Sequence, residues 1–206
     1  MSAKALKTER ILAAATKLFI VHGFEQTSMQ KIADEAQVGI ATLFRYFPKK
    51  ELLIVAVIEQ VIDDMVPHFT TIALSEQNGL TKMAMILDAY IDYLIEAKQA
   101  PVILLENFDY YIAYHTLDVT LIEQIQQSYL KIGQLVQAVI DEGCHDGSIT
   151  LSQENAQIGM TIMNLFGTAI KKHSFNHLTN TRIFPIPTKN ELIAVKALIL
   201  QFLSAT

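Results

Sequence analysis

Thr27, Ser28, Gln30 and Lys31, followed by Thr42, Arg45, Tyr46, Lys49 and Lys50, concentrate hydroxyls, an amide and four cations in one short stretch. Hydroxyls beside the free N–H groups of a helix start hold phosphate oxygens. Lysines neutralise phosphates, and an arginine reaches guanine edges or phosphate. No nucleophile–base pair, glycine-rich phosphate loop or metal cluster accompanies them. The chemistry on offer is therefore binding of an anionic polymer, not catalysis. A plain three-helix subdomain with a solvated basic face would carry the same residues, and so would a helical small-molecule-binding protein or enzyme with an incidental basic head.

The elements that must position these groups are helices. TSMQKIADEAQVGIATLFRYF reads as a short helix, a tight turn and a second short helix, with Ile32, Ala33, Ala36, Val38 and Leu43 as the shared apolar seam. Thr27 opens the first with Gln30 three residues on, a capping-box spacing. Gly39 separates the two. Such a pair needs a third wall, supplied by Leu12, Ala15, Phe19 and Phe24 of a preceding helix that Gly23 stops. This is a helix-turn-helix whose second element fits a major groove, presenting Gly39, Ile40, Ala41 and Thr42 near its start.

Charge divides the same way. Residues 1–50 hold eight of the 16 Lys/Arg and four of the 21 Asp/Glu, leaving eight basic against 17 acidic residues in the remainder. A basic head meets phosphates while an acidic body stays away from them. The longest apolar run, Leu52 to Ile58, is far below the roughly 20 residues of a membrane span. The N-terminus lacks a signal peptide's apolar core. A cytoplasmic protein without a membrane partner is expected. The single cysteine, Cys144, permits no intrachain disulfide.

Residues 8–54 resemble the DNA-binding domain of the tetracycline-repressor (TetR/AcrR) family. The matching elements are a first helix ending in Phe and Gly, an aromatic, a Thr-Ser helix start, I-A-x-E-A-x-V, T-L-F-x-Y-F and K-K-E-L, in that order and spacing. The resemblance implies that Thr27, Ser28, Tyr46 and Lys50 hold phosphates, and that Ile40, Ala41, Thr42, Phe44 and Arg45 form the recognition helix. Gln30 and Lys31 match positions that reach DNA in some members, and Lys49 adds flanking charge. Gly39, Ile40 and Phe44 depart from the commoner Ser or Ala, polar residue and Tyr. Gly39 forfeits a capping hydroxyl, and Phe44 forfeits a phosphate hydrogen bond.

The expected architecture is all-α with about nine helices: a helix-turn-helix domain over 1–50 and a helical ligand-binding and dimerisation domain over 51–206. After the head, helices are expected from about Lys50 to near Pro67, and at roughly 81–99, from Pro101, 118–143, 152–175 and from about 189, with a loop over 176–188. The last two carry more apolar surface than one body can bury. Ile158, Ile162, Leu165, Phe166 and Ala169, with Leu192, Val195, Ile199 and Phe202, form the expected homodimer face; a central core helix in a monomer is the other reading. Met65, Phe69, Tyr90, Tyr93, Phe108, Tyr111, His115, Met160 and Asn164 are candidate lining for a small-molecule effector pocket, apolar walls with polar tips, though an aromatic stripe at this spacing also makes ordinary core. Glu142 and His145, and His173 and His177, have ligand-like spacings but lack the further ligands of a metal site. No cofactor and no enzymatic activity are expected. The expectation is a dimeric repressor on a palindromic operator in double-stranded DNA, released by an unidentified small molecule.

Overall fold

The computed structural model describes residues 2–93, 99–151, 157–174 and 188–204, with ten helices and no strand among them. In chain order these are α1 (Ala3–Gln26), α2 (Met29–Glu35), α3 (Ile40–Tyr46), α4 (Lys50–Asp63) and α5 (Val66–Ala73), then α6 (Gly79–Ile91), α7 (Gln99–Tyr114), α8 (Val119–Asp146), α9 (Ile158–Ser174) and α10 (Lys189–Ser204). The added helix, α5, arises where one helix was expected to run on to Pro67. The chain breaks after Asp63, and Pro67 sits in the first turn of α5, where its missing N–H costs nothing. Residues 94–98, the 152–156 start of the expected eighth helix, and His177, Pro185 and Pro187 of the expected loop lie outside the described residues, as does the side chain of His173.

The residues pack as two units. Met1–Ile62 joins with Ile103–Gln127, and Asp63–Val102 joins with Ser128–Thr206. The first unit therefore includes most of α4 and α7 as well as the head helices. Its core is built from Ile11, Ala15, Phe19 and Phe24 of α1, Ile32 and Ala33 of α2, and Leu43 of α3, all buried. Val38 of the expected seam and Leu12 of the expected third wall are only half-buried, while Ile11 and Phe47 are buried. Phe19 and Phe24 meet edge to face at 4.8 Å between ring centroids. Gly23 breaks α1 with φ 72° and ψ 173°, a conformation reserved for glycine.

In the second unit α10 packs on α6 and α9, and α5 packs on α6. Met83, Ile86, Leu87 and Tyr90 of α6 are buried, as their helical spacing requires. The start of α6 is tied to the end of α8. Asn78 caps α6 by accepting from the Thr81 N–H at 2.9 Å, Asp146 accepts from the Gly79 N–H at 2.8 Å, and Ser148 accepts from the Leu80 N–H at 3.1 Å. The hydrogen bonds from Ser148 and Gly79 hold the Asp146 carboxyl below the usual carboxylate range.

Lys82 is buried in this unit, and its ammonium donates to both oxygens of Glu142 at 2.7 Å. Glu142 is half exposed, so the burial cost falls mainly on the lysine. Replacing the whole cation by an apolar isostere removes cost and attraction together, whereas removing the carboxylate strands a charge. Lys82→Met is expected to change stability by less than about 1 kcal/mol, and Glu142→Leu to cost about 2–3 kcal/mol. Chemical denaturation of both variants checks the order; equal losses would show that the pair is not set by desolvation.

Candidate nucleic-acid interface and effector sites

The helix-turn-helix is fixed by contacts that leave one face open. Ser28, not Thr27, caps α2, its Oγ accepting from the Lys31 N–H at 3.2 Å. Thr27 is fully buried, and its hydroxyl donates to the Gly23 carbonyl at 2.8 Å. The expected Thr27 hydroxyl grip on phosphate is thereby corrected. The reversal at Gly23 turns Thr27 inward, and Ser28 is the exposed hydroxyl of the pair. The expected capping box also shifts: Gln30 donates to Asp34 at 2.8 Å and does not reach back to the cap.

Between α2 and α3 the left-handed residue is Gln37, with φ 53°, while Gly39 is the N-cap of α3 in extended conformation and without a side-chain bond. Arg10 pins this turn, donating to the Ala36 carbonyl at 2.7 Å and the Gln37 carbonyl at 3.4 Å. In the sequence Arg10 counts only as charge, and no local pattern ties it to a turn 26 residues away. The Lys17–Glu35 ion pair, at 2.6 Å, adds a tie from α1 to α2.

On α3, Leu43 faces the core while Ala41, Phe44 and Arg45 are exposed, and Ile40, Thr42 and Tyr46 are half-buried. The Arg45 guanidinium carbon lies 5.9 Å from the Tyr46 ring centroid, within cation–π distance. Gln30, Lys31 and Lys49 are exposed. Lys50 differs. It is half-buried, and its ammonium donates to the Glu25 carbonyl at 3.4 Å. Desolvation lowers its pKa, opposed by the charges of Glu25 and Glu51.

The nine effector candidates fall in both packing units and not in one. In the first unit, Tyr111 and His115 line a cavity of about 350 Å³. Its other walls are residues 22–25 at the end of α1 and Asn107, Tyr110 and Tyr114 of α7. Phe108 is buried without lining it. His115 stacks flat on Tyr111, centroids 4.2 Å apart at 5°, and its Nε2 lies 3.0 Å from Glu25 Oε1. Burial raises the Tyr111 pKa, helped by the charges of Glu51 and Glu25 and a hydrogen bond to Glu51.

In the second unit, Met65, Phe69 and Tyr90 are buried and Tyr93 and Met160 half-buried, while Asn164 is exposed. Phe69 and Phe166 flank Tyr90 at 6.0 and 6.1 Å between centroids. Burial drives the Tyr90 hydroxyl well above its ordinary pKa, and Tyr93 is pushed up to about 12 by burial and the Asp64 charge.

The apolar faces of α9 and α10 form a groove of about 460 Å³ lined by Ile158, Thr161, Ile162, Leu165 and Ala169, and by Val195, Leu198, Ile199 and Phe202. Two residues of the expected dimer face are corrected. Phe166 and Leu192 are fully buried within their own unit, and Leu198, which the expectation omitted, is 65% exposed. Glu142 is bonded to Lys82, and the His145 ring Nδ1 lies 2.7 Å from the Asp141 carbonyl.

An all-helical chain with a helix-turn-helix head and a helical body defines the class. Residues 11–57 match the family model of bacterial regulatory proteins, tetR family. The likeness to that family is shown for residues 11–57. An HTH-type transcriptional regulator of Staphylococcus aureus (strain USA300) is 34% identical over 90 residues, covering 44% of this chain and 49% of the relative. The chain thus spans about half the length of the curated relatives it matches. Among solved structures, reduced NemR of E. coli is similar at TM-score 0.76 and 16% identity, covering 97% of this chain and 99% of that one. FadR of Bacillus subtilis in complex with stearoyl-CoA is similar at TM-score 0.70 and 16% identity, covering 96% and 97%. These likenesses show a shared fold.

Proposed function

We propose that the chain is a ligand-responsive transcriptional repressor that binds a palindromic operator as a homodimer in the cytoplasm. Residues 1–50 read DNA, and 51–206 supply dimerisation and effector binding. The observation that carries this reading is the open face of α3, with Arg45 exposed on it and the turn between α2 and α3 pinned by Arg10. The curated relatives named as HTH-type transcriptional regulators support it. The dimer reading rests on the α9–α10 groove, whose apolar lining is left uncovered among the described residues. Two heads on a two-fold axis bind two half-sites. The stearoyl-CoA complex of a protein of this fold supports a small-molecule effector. To move operator occupancy from 99:1 to 1:99, the effector must prefer the released state by about 5.5 kcal/mol.

Selection of duplexes from a random pool tests the reading. Wild type is expected to enrich a palindrome. Arg45→Ala is expected to cost about 1–3 kcal/mol and to relax preference at one position of each half-site. Lys49→Ala is expected to weaken all sequences alike and to reduce the salt slope by about one unit per head. A wild-type protein that enriches no duplex would end the repressor reading.

A further inference from the structure

The cavity at the end of α1 carries aromatic and acidic groups that stand open to solvent. Tyr110 and Tyr114 are 52% and 84% exposed, on the α7 face that also carries Tyr111. Aromatic faces this open to water are not core. The Glu25 side chain is 64% exposed and its carboxylate stands at the cavity wall. The glycine break at Gly23 leaves open space there, since a Cβ at that position would meet nothing within 4 Å.

His115 shows what the cavity accommodates. Its ring lies flat on Tyr111, with Nε2 facing Glu25 and Nδ1 3.0 Å from the Tyr111 carbonyl. Both ring nitrogens face acceptors. A flat nitrogen-bearing ring stacked on tyrosine against a carboxylate is thus the arrangement the site already makes with its own residue. The ring quadrupole attracts a cation to the tyrosine face, and the carboxylate supplies its counter-charge. The cavity volume of about 350 Å³ lies within the range of small-molecule sites.

We infer that this cavity binds a small organic cation with a flat apolar body, stacked on the tyrosine face of α7 and paired with Glu25. This deepens the regulator reading, on which it rests for its biological sense, by placing an effector site within the head's own packing unit. Its wall continues into the phosphate-gripping surface, because the Glu25 carbonyl accepts from the Lys50 ammonium.

The chain has no tryptophan and seven tyrosines, three of which line the cavity, so part of the tyrosine emission reports on the site. Benzyltrimethylammonium is the probe, with benzyl alcohol as a neutral and benzenesulfonate as an anionic counterpart. Saturable quenching by the cation, one per chain, is expected. It should weaken about tenfold in Glu25→Gln and again in Tyr114→Leu, both at exposed positions that leave the fold intact. Absence of saturable quenching, equal affinity in Glu25→Gln, or preference for benzenesulfonate overturns the inference. Duplex selection on the same preparation keeps the two readings apart. Cation binding without duplex enrichment leaves the site standing and removes the regulator reading; enrichment without cation binding does the reverse.

Discussion

Leu198→Glu, and separately Leu165→Glu, is expected to leave each chain folded and to abolish pairing of two chains. The two leucines are 65% and 60% exposed in a single chain, so a polar replacement takes nothing from its own core. In a homodimer closed over the α9–α10 groove each would be buried, and symmetry counts each change twice. Burying a leucine contributes about 1.5–3 kcal/mol. An unpaired carboxylate in an apolar interface adds a further penalty. The loss for two copies is then at least about 4 kcal/mol, a weakening of about a thousandfold or more. Light scattering should show a monomer at concentrations where wild type is a dimer, with unchanged helicity by circular dichroism. Leu198→Met, which keeps the volume apolar, should remain dimeric. Operator affinity should fall with dimerisation, because one head then binds one half-site. A dimer that survives both glutamates would place the interface elsewhere.

Periodicity made much of this fold legible, and local chemistry decided what it left open. The buried set Ala15, Phe19, Ile32, Ala33 and Leu43 follows from helical spacing alone, because a short three-helix head has one way to close. The same spacing cannot orient a helix that is apolar nearly all round. In α10 it could not tell Leu192, which faces its own core, from Leu198, which does not. The Thr27-Ser28 pair shows a second limit. Either hydroxyl can cap a helix, and only the φ of 72° at Gly23 settles that Thr27 turns inward. Aromatic content was a poor guide to sites for a third reason. Tyr90 and Tyr111 look alike in sequence, but long-range contacts put one in each packing unit. The Glu25–His115 contact spans 90 positions of chain, and no local pattern announces it.

Gly79→Ala should be among the most damaging single changes to stability, although it is a glycine-to-alanine change at a helix start. In an open helix, alanine is favoured over glycine by about 0.5–1 kcal/mol. Here a Cβ at Gly79 would lie 2.2 Å from the Gly143 Cα, 2.4 Å from the Gly143 nitrogen and 2.8 Å from the Val139 carbonyl oxygen. All three are backbone atoms, so no rotamer relieves the clash; α6 and α8 must separate. Separation stretches the Asp146 and Ser148 hydrogen bonds that tie the start of α6. It also disturbs Gly143, whose own Cβ would meet Ile149 at 2.5 Å. Overpacking costs about 1–3 kcal/mol, occasionally more, and the lost hydrogen bonds add about 1 kcal/mol each. A net loss of about 2–4 kcal/mol is expected, lowering the melting temperature by about 5–15 °C in a chain of this length. Gly39→Ser provides the contrast. Its Cβ would meet only Thr42 Oγ1 at 4.0 Å, and the backbone there is extended, so the added cap should be neutral or stabilising by a few tenths of a kcal/mol. Thermal melts followed by circular dichroism separate the two. If Gly79→Ala melts with wild type, the close approach of α6 to α8 does not limit stability.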